Sequence, residues 1–145
     1  MFATKSFNPP ASNTYIFQQA RMRGRLGRCW AALTGRSHSL YPLPAATLAV
    51  TVGGHFAGLQ IVPIQQIRGS EGRIHDFDSD FNPLKDHLEE RWLRVFTAWR
   101  RGAALPAVEL IRVSETYYVR DGHNRVSVAR LMGQEYIDAV VTVWE

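Results

Sequence analysis

Between Gln18 and Leu33 the apolar residues Met22, Leu26, Cys29, Trp30 and Leu33 return at helical spacing, with Arg21, Arg25 and Arg28 on a neighbouring stripe. That period predicts a basic amphipathic helix whose apolar side packs on the body of the protein. A second helical period, Leu84, Leu88, Trp92, Val95, Phe96 and Trp99, runs up to Gly102. Asn82 suits its N-cap and Pro83 its first position. Asp86, Glu89 and Glu90 near its start and Arg100 and Arg101 at its end complement the helix dipole, so these charges, and His87 among them, read as structural.

The remaining pattern is strand-like. Residues 59–67 read as a strand that Pro63 places at a sheet edge or a bulge. Val108–Val113 and Thr116–Val119 read as a hairpin turning at Ser114-Glu115, with Tyr117 and Tyr118 on opposite faces. Asp121-Gly-His-Asn-Arg125 then leads into a short helix closed by Gly133, and Tyr136–Trp144 is the last strand. This strand, helix, strand unit predicts parallel outer strands with a right-handed crossover. Leu48–Val52 is a further candidate strand, with Gly53 and Gly54 as a turn.

Composition narrows the class. The chain has 145 residues, 46% hydrophobic and 21% charged, a single-domain length able to bury one core. One cysteine, Cys29, excludes a disulfide framework and a cysteine-cluster zinc site, and fits a reducing, cytoplasmic setting. No apolar run approaches the ~20 residues of a spanning helix, so no membrane partner is expected. Lys5, Arg21, Arg23, Arg25, Arg28, Arg36 and Arg68 precede the first acidic residue, Glu71, which gives residues 1–70 a charge of +7 and leaves −3 for the rest. The chain therefore divides into a basic helical region, 1–58, and an α+β domain, 59–145. Clustered arginines bind phosphate oxygens, so Arg21, Arg25 and Arg28 are candidates for non-specific nucleic-acid contact. Packing of this region on the body or self-association as a homodimer is the alternative use.

Candidate chemistry concentrates at two turns. At 121–125, Gly122 lets the backbone approach a ligand, and the free amides of a helix start point at any anion placed there. Arg125 shares a helical face with Val128, Ala129 and Met132 and so projects inward, where a cation needs a partner. That partner is either a ligand phosphate or a carboxylate such as Asp121 or Asp138. The second turn, Arg68-Gly-Ser-Glu-Gly-Arg73, is a glycine-bracketed polar loop. The acidic run Asp76-x-Asp78-x-Asp80 opens like a calcium loop but has Phe81 where a glycine belongs and His87 where a glutamate belongs, and it reads instead as a solvated loop capping the next helix. His38 and His55 lack ligand-spaced partners, so no metal is assigned. Walker A, G-x-S-x-G and H-E-x-x-H motifs are absent.

Five blocks in order, Gly69-Ser-Glu-Gly-Arg73, Asp76-Phe-Asp78, Arg91-Trp92, Leu105-Pro-Ala-Val-Glu-Leu110 and Asp121-Gly-His-Asn-Arg-Val-Ser-Val-Ala-Arg130, resemble bacterial ParB-like proteins of the ParB/sulfiredoxin superfamily over residues 59–145. Those relatives carry G-S-x-G-R, D-F-D, R-W, L-P-x-V-E-L and D-G-H-H-R-V-S-V-A-R. The resemblance implies a mixed sheet with packed helices and a nucleotide site, since ParB proteins bind and hydrolyse CTP, sulfiredoxins use ATP and a related free-serine kinase uses ADP. It implies that Ser70, Arg73, Asp121, Gly122, His123, Asn124 and Arg125 hold the nucleotide with Mg2+, and that Glu71 or His123 serves any proton transfer. His123 stands where sulfiredoxin has its nucleophilic cysteine and Cys29 lies outside the match, so sulfinic acid reduction is not expected. Asn124 replaces the second histidine of the D-G-H-H-R proteins. A helix-turn-helix domain would follow in a partition protein, whereas this sequence stops at Glu145. Three functions result: a nucleotide-dependent switch associated with DNA or a protein, a small-molecule phosphotransferase, or an interaction domain with a degenerate site.

Overall fold

A computed structural model describes residues 11–35, 38–44 and 54–144. The candidate strand Leu48–Val52 and Gly53 lie outside them. The described elements are α1 (Ala11–Thr34), β1 (Tyr41–Pro42), β2 (His55–Pro63), β3 (Ile67–Ser70), α2 (Glu89–Arg100), β4 (Val108–Val113), β5 (Thr116–Asp121), α3 (His123–Leu131) and β6 (Tyr136–Trp144), with 3-10 turns at Ile64–Gln66 and Asp86–Leu88. They form a six-stranded mixed sheet in the order β1-β3-β5-β4-β6-β2, with helices packed on it.

Alternation along the strands sorts side chains into a helix-covered face and its opposite. Ile67, Val108, Leu110, Tyr117, Val119, Ala139, Val141 and Val143 meet Phe17 of α1, Trp92 and Phe96 of α2 and Val126 of α3 in one core. Trp92 is fully buried, stacks on Phe96 and takes Phe17 edge-on. Its indole N–H donates to Ser127 Oγ at 2.8 Å, and that hydroxyl donates to the Phe81 carbonyl at 2.5 Å. A buried tryptophan thus has its one donor satisfied. As expected from the alternation, Tyr117 joins this core and Tyr118 does not.

Several expectations change. Helix α1 forms, but Met22, Leu26, Trp30 and Leu33 are 52–82% exposed, while Phe17, Ala20 and Gly24 are buried. The reason is close approach: a Cβ on Gly24 would lie 2.9 Å from Leu84 Cδ2, and one on Gly27 would lie 2.5 Å from the His38 ring. The small-residue face packs and the large apolar one does not. Chain elements before residue 59 also enter the fold, because β2 starts at His55, β1 pairs in parallel with β3, and Phe17 and Leu40 are core residues.

Helix α2 begins at Glu89, six residues beyond Pro83. Pro83 instead forms a bridge with Phe77, and the Asn82 backbone and side-chain amides donate to Asp78. The segment read as the loop 68–73 is strand β3 up to Ser70, and the bend begins at Glu71. Pro63 does lie on an edge strand, since β2 pairs only with β6 among the described residues. The last two strands of the chain, β5 and β6, run antiparallel rather than parallel. Strand β4 lies between them, antiparallel to β5 through the hairpin and parallel to β6. Among the described residues no helix is long and apolar enough to cross a membrane.

Candidate functional site

The β3 end and the β5–α3 turn lie side by side because β3 and β5 are parallel neighbours, with Ser70 opposite Val119. Parallel pairing brings both carboxyl ends to the same sheet edge, where ligands of open α/β sheets gather. Gly122 enters α3 with φ of 100°, a region that favours glycine, and no side chain caps the helix. Its Cβ, if present, would lie 2.6 Å from Val108 Cγ1. The Val126 amide is the first of the helix to find a helical carbonyl, that of Gly122, so the earlier amides are directed outward at the helix start.

His123 joins the two turns. It is 3% exposed, and its Nε2 lies 2.6 Å from Ser70 Oγ. Ser70 Oγ also accepts the Arg73 backbone amide at 3.1 Å. The imidazole stacks on Phe77, ring centroids 5.9 Å apart. Burial pushes its pKa down to about 4, helped by the Arg73 charge and opposed by Asp121 and Asp76. At neutral pH the ring is uncharged, the tautomer sets which of Nε2 and Ser70 Oγ donates across their bond, and Ser70 Oγ accepts from the Arg73 amide in either case.

The other expected site residues divide by what they touch. Arg73 pairs with Asp76 at 3.2 Å, which keeps its guanidinium beside the loop. Glu71 is held at 2.9 Å by Arg120 and its amide donates to the Val119 carbonyl. Asn124 Oδ1 is buried without a hydrogen-bond partner. Arg125 donates to the Pro106 and Ala107 carbonyls at 2.7 and 2.9 Å and to Asp121 at 3.1 Å. Of the two carboxylates weighed for it, Asp121 and Asp138, Asp121 is the one in contact. These bonds fasten α3 to the segment entering β4, beside an open cleft of about 390 Å³ bounded by Trp99, Leu105 and Tyr136.

The acidic run is not a solvated cap. Asp78 is fully buried and accepts the Asp80 and Asn82 amides, each at 2.9 Å, and the Asn82 side chain and His38 Nε2, each at 3.1 Å. Asp76 is drawn to Arg73 and Asp80 to Arg130. Sequence reading missed His38, which ties the segment before β1 to this loop from forty positions away. Nothing in its local pattern marks that role. No group of three or more His, Cys, Asp or Glu residues able to hold a metal occurs among the described residues.

The three candidate nucleic-acid arginines are not equivalent. Arg25 and Arg28 are exposed. Arg21 is largely covered and forms an ion pair with Asp86, so its charge is used inside the fold.

No protein family and no curated protein matches this chain. Among solved structures, sulfiredoxin from Arabidopsis thaliana is similar at 18% identity and a TM-score of 0.41, over 57% of this chain and 82% of that one.

Proposed function

We propose that this chain is a nucleotide-binding domain of the ParB/sulfiredoxin type, with the phosphates seated between the loop after β3 and the first turn of α3. The observation that carries the reading is the Ser70–His123 bond, which fixes a turn bearing Arg73 against an uncapped helix start. Oriented amides and an adjacent guanidinium together favour an oxyanion there. The fit is supported by two features of the chain. The left-handed backbone at Gly122 starts α3 directly at the turn and leaves the amides of 123–125 without helical carbonyl partners, and Asn124 Oδ1 on that first turn has no hydrogen-bond partner within the fold.

Within this reading Arg73 and the amides of 123–125 hold phosphate, Ser70 and His123 position the two turns, and Arg125 fixes α3 rather than the ligand. Bound Mg2+ would shield phosphate charge. Exposed Arg25 and Arg28 remain available to nucleic acid, which is the switch form of the proposal. A phosphotransferase uses the same site and adds Glu71 as the proton acceptor of a substrate hydroxyl. Its position on the bend, fixed by Arg120, favours Glu71 over the buried His123 for that role.

Calorimetric titration with ATP, ADP, CTP and GTP in Mg2+ tests the proposal. One saturable nucleotide is expected, and transfer of phosphate to a hydroxyl compound would select the second form. Absence of binding to folded protein by all four would leave the interaction-domain reading.

A further inference from the structure

Helix α1 carries an apolar seam that the described residues leave uncovered. Tyr15, Gln19, Met22, Leu26, Cys29 and Leu33 are separated by four, three, four, three and four residues, the alternation of a coiled-coil seam. Tyr15, Met22, Leu26 and Leu33 are 52–82% exposed, and Gln19 and Cys29 are exposed as well. Trp30 beside the seam is 67% exposed. The opposite face, Phe17, Ala20, Gly24 and Gly27, packs on the body. The body therefore holds the helix without obstructing the seam, and association would not have to supply helix nucleation.

We propose that this seam binds a second copy of the chain as a parallel, in-register pair of α1 helices. Charge selects the occupant's direction. In a parallel pair, residues flanking the seam meet five positions apart, which sets Gln18 against Arg23 of the second copy and Arg25 against Trp30 of the second copy. Arginine then faces amide and indole, and the second contact is a cation–π pair. Arg21 and Arg28 lie outside these contacts. Gln19 meets its own equivalent, the kind of polar layer that fixes register and favours two strands. An aromatic side chain carries roughly 150–250 Å². With Tyr15 and Trp30 plus three aliphatic side chains, the surface available is on the order of 600 Å² per copy, approaching the ~800 Å² per partner of a standard interface.

Cys29 lies within the seam and opposite its own equivalent in this arrangement, so it reports on register without being needed for association. The full chain, sedimented over a concentration series, is expected at twice 16.4 kDa, and oxidation with copper phenanthroline is expected to link two chains through Cys29. Leu26→Glu and Leu33→Glu place charges in the seam at positions outside the core. Each is expected to halve the mass and abolish the crosslink while leaving the melting curve of the fold in place. A monomer at 100 µM would overturn the proposal. So would a dimer insensitive to both substitutions, or a sensitive dimer that never crosslinks, because that pair is not parallel and in register. A monomer that co-sediments with anionic phosphatidylserine vesicles would assign the seam to lipid and likewise overturn it.

Discussion

Ser70 Oγ and His123 Nε2 lie 2.6 Å apart with both side chains buried, across 53 residues of sequence. The bond joins the end of β3 to the start of α3, and Ser70 also holds the Arg73 amide. Ser70→Ala removes the partner of a buried ring nitrogen and of that amide. A loss of about 1–3 kcal/mol in urea unfolding is expected. A change below a few tenths of a kcal/mol would show that the two turns are held by other contacts.

His123 gives the fold a pH dependence of known sign. Its folded pKa of about 4 lies below the ordinary 6.5, so the unfolded chain binds the proton more tightly. The favourable contribution is present above pH 6.5 and is lost as pH falls from 6.5 towards 4, by at most roughly 3 kcal/mol. Melting temperature should drop across this window in the wild type and less steeply in His123→Gln. Equal slopes in the two proteins would contradict the buried neutral ring.

Gly122 meets two constraints at once, a φ of 100° and a Cβ position 2.6 Å from Val108. Gly122→Ala is expected to destabilise by about 2–4 kcal/mol through backbone strain and overpacking. Pairing it with Val108→Ala should recover the packing part alone, leaving a residual from φ. Full recovery in thermal melts would mean that the backbone is unstrained.

Much of this arrangement is legible in the sequence, and the failures have physical causes. The Gly-x-x-Arg turn before a short helix and the glycine-flanked loop are local signals, and the fold does place them together. Periodicity found α1, but hydropathy ranks Met22 and Leu26 above Gly24 and Gly27, whereas close packing on Leu84 and His38 selects the residues without side chains. Pro83 satisfies the rule for a helix start, yet it bridges to Phe77, beside the turn of residues 78–82 that buried Asp78 holds through the Asp80 and Asn82 amides. The strand, helix, strand unit predicts parallel outer strands, but β6 pairs in parallel with β4, the antiparallel hairpin partner of β5, and so runs opposite to β5. His38 and Asp78 are forty residues apart, and no local pattern connects them.

Arg125 and Arg73 should separate cleanly. Arg125 donates to two carbonyls and to Asp121, so Arg125→Ala is expected to cost about 2–4 kcal/mol of stability and to change nucleotide affinity less than threefold. Arg73→Ala should leave the melting temperature within a few degrees and weaken affinity at least tenfold. The reverse pattern in unfolding and titration would return Arg125 to the phosphate site.

The central claim is the location of that site, and amide chemical-shift mapping of the full chain during nucleotide titration addresses it most directly. The account predicts that the largest saturable shifts fall on Gly72, Arg73 and residues 122–125. Shifts centred instead on the cleft around Trp99, Leu105 and Tyr136, or no saturable shift with any of the four nucleotides, would contradict it.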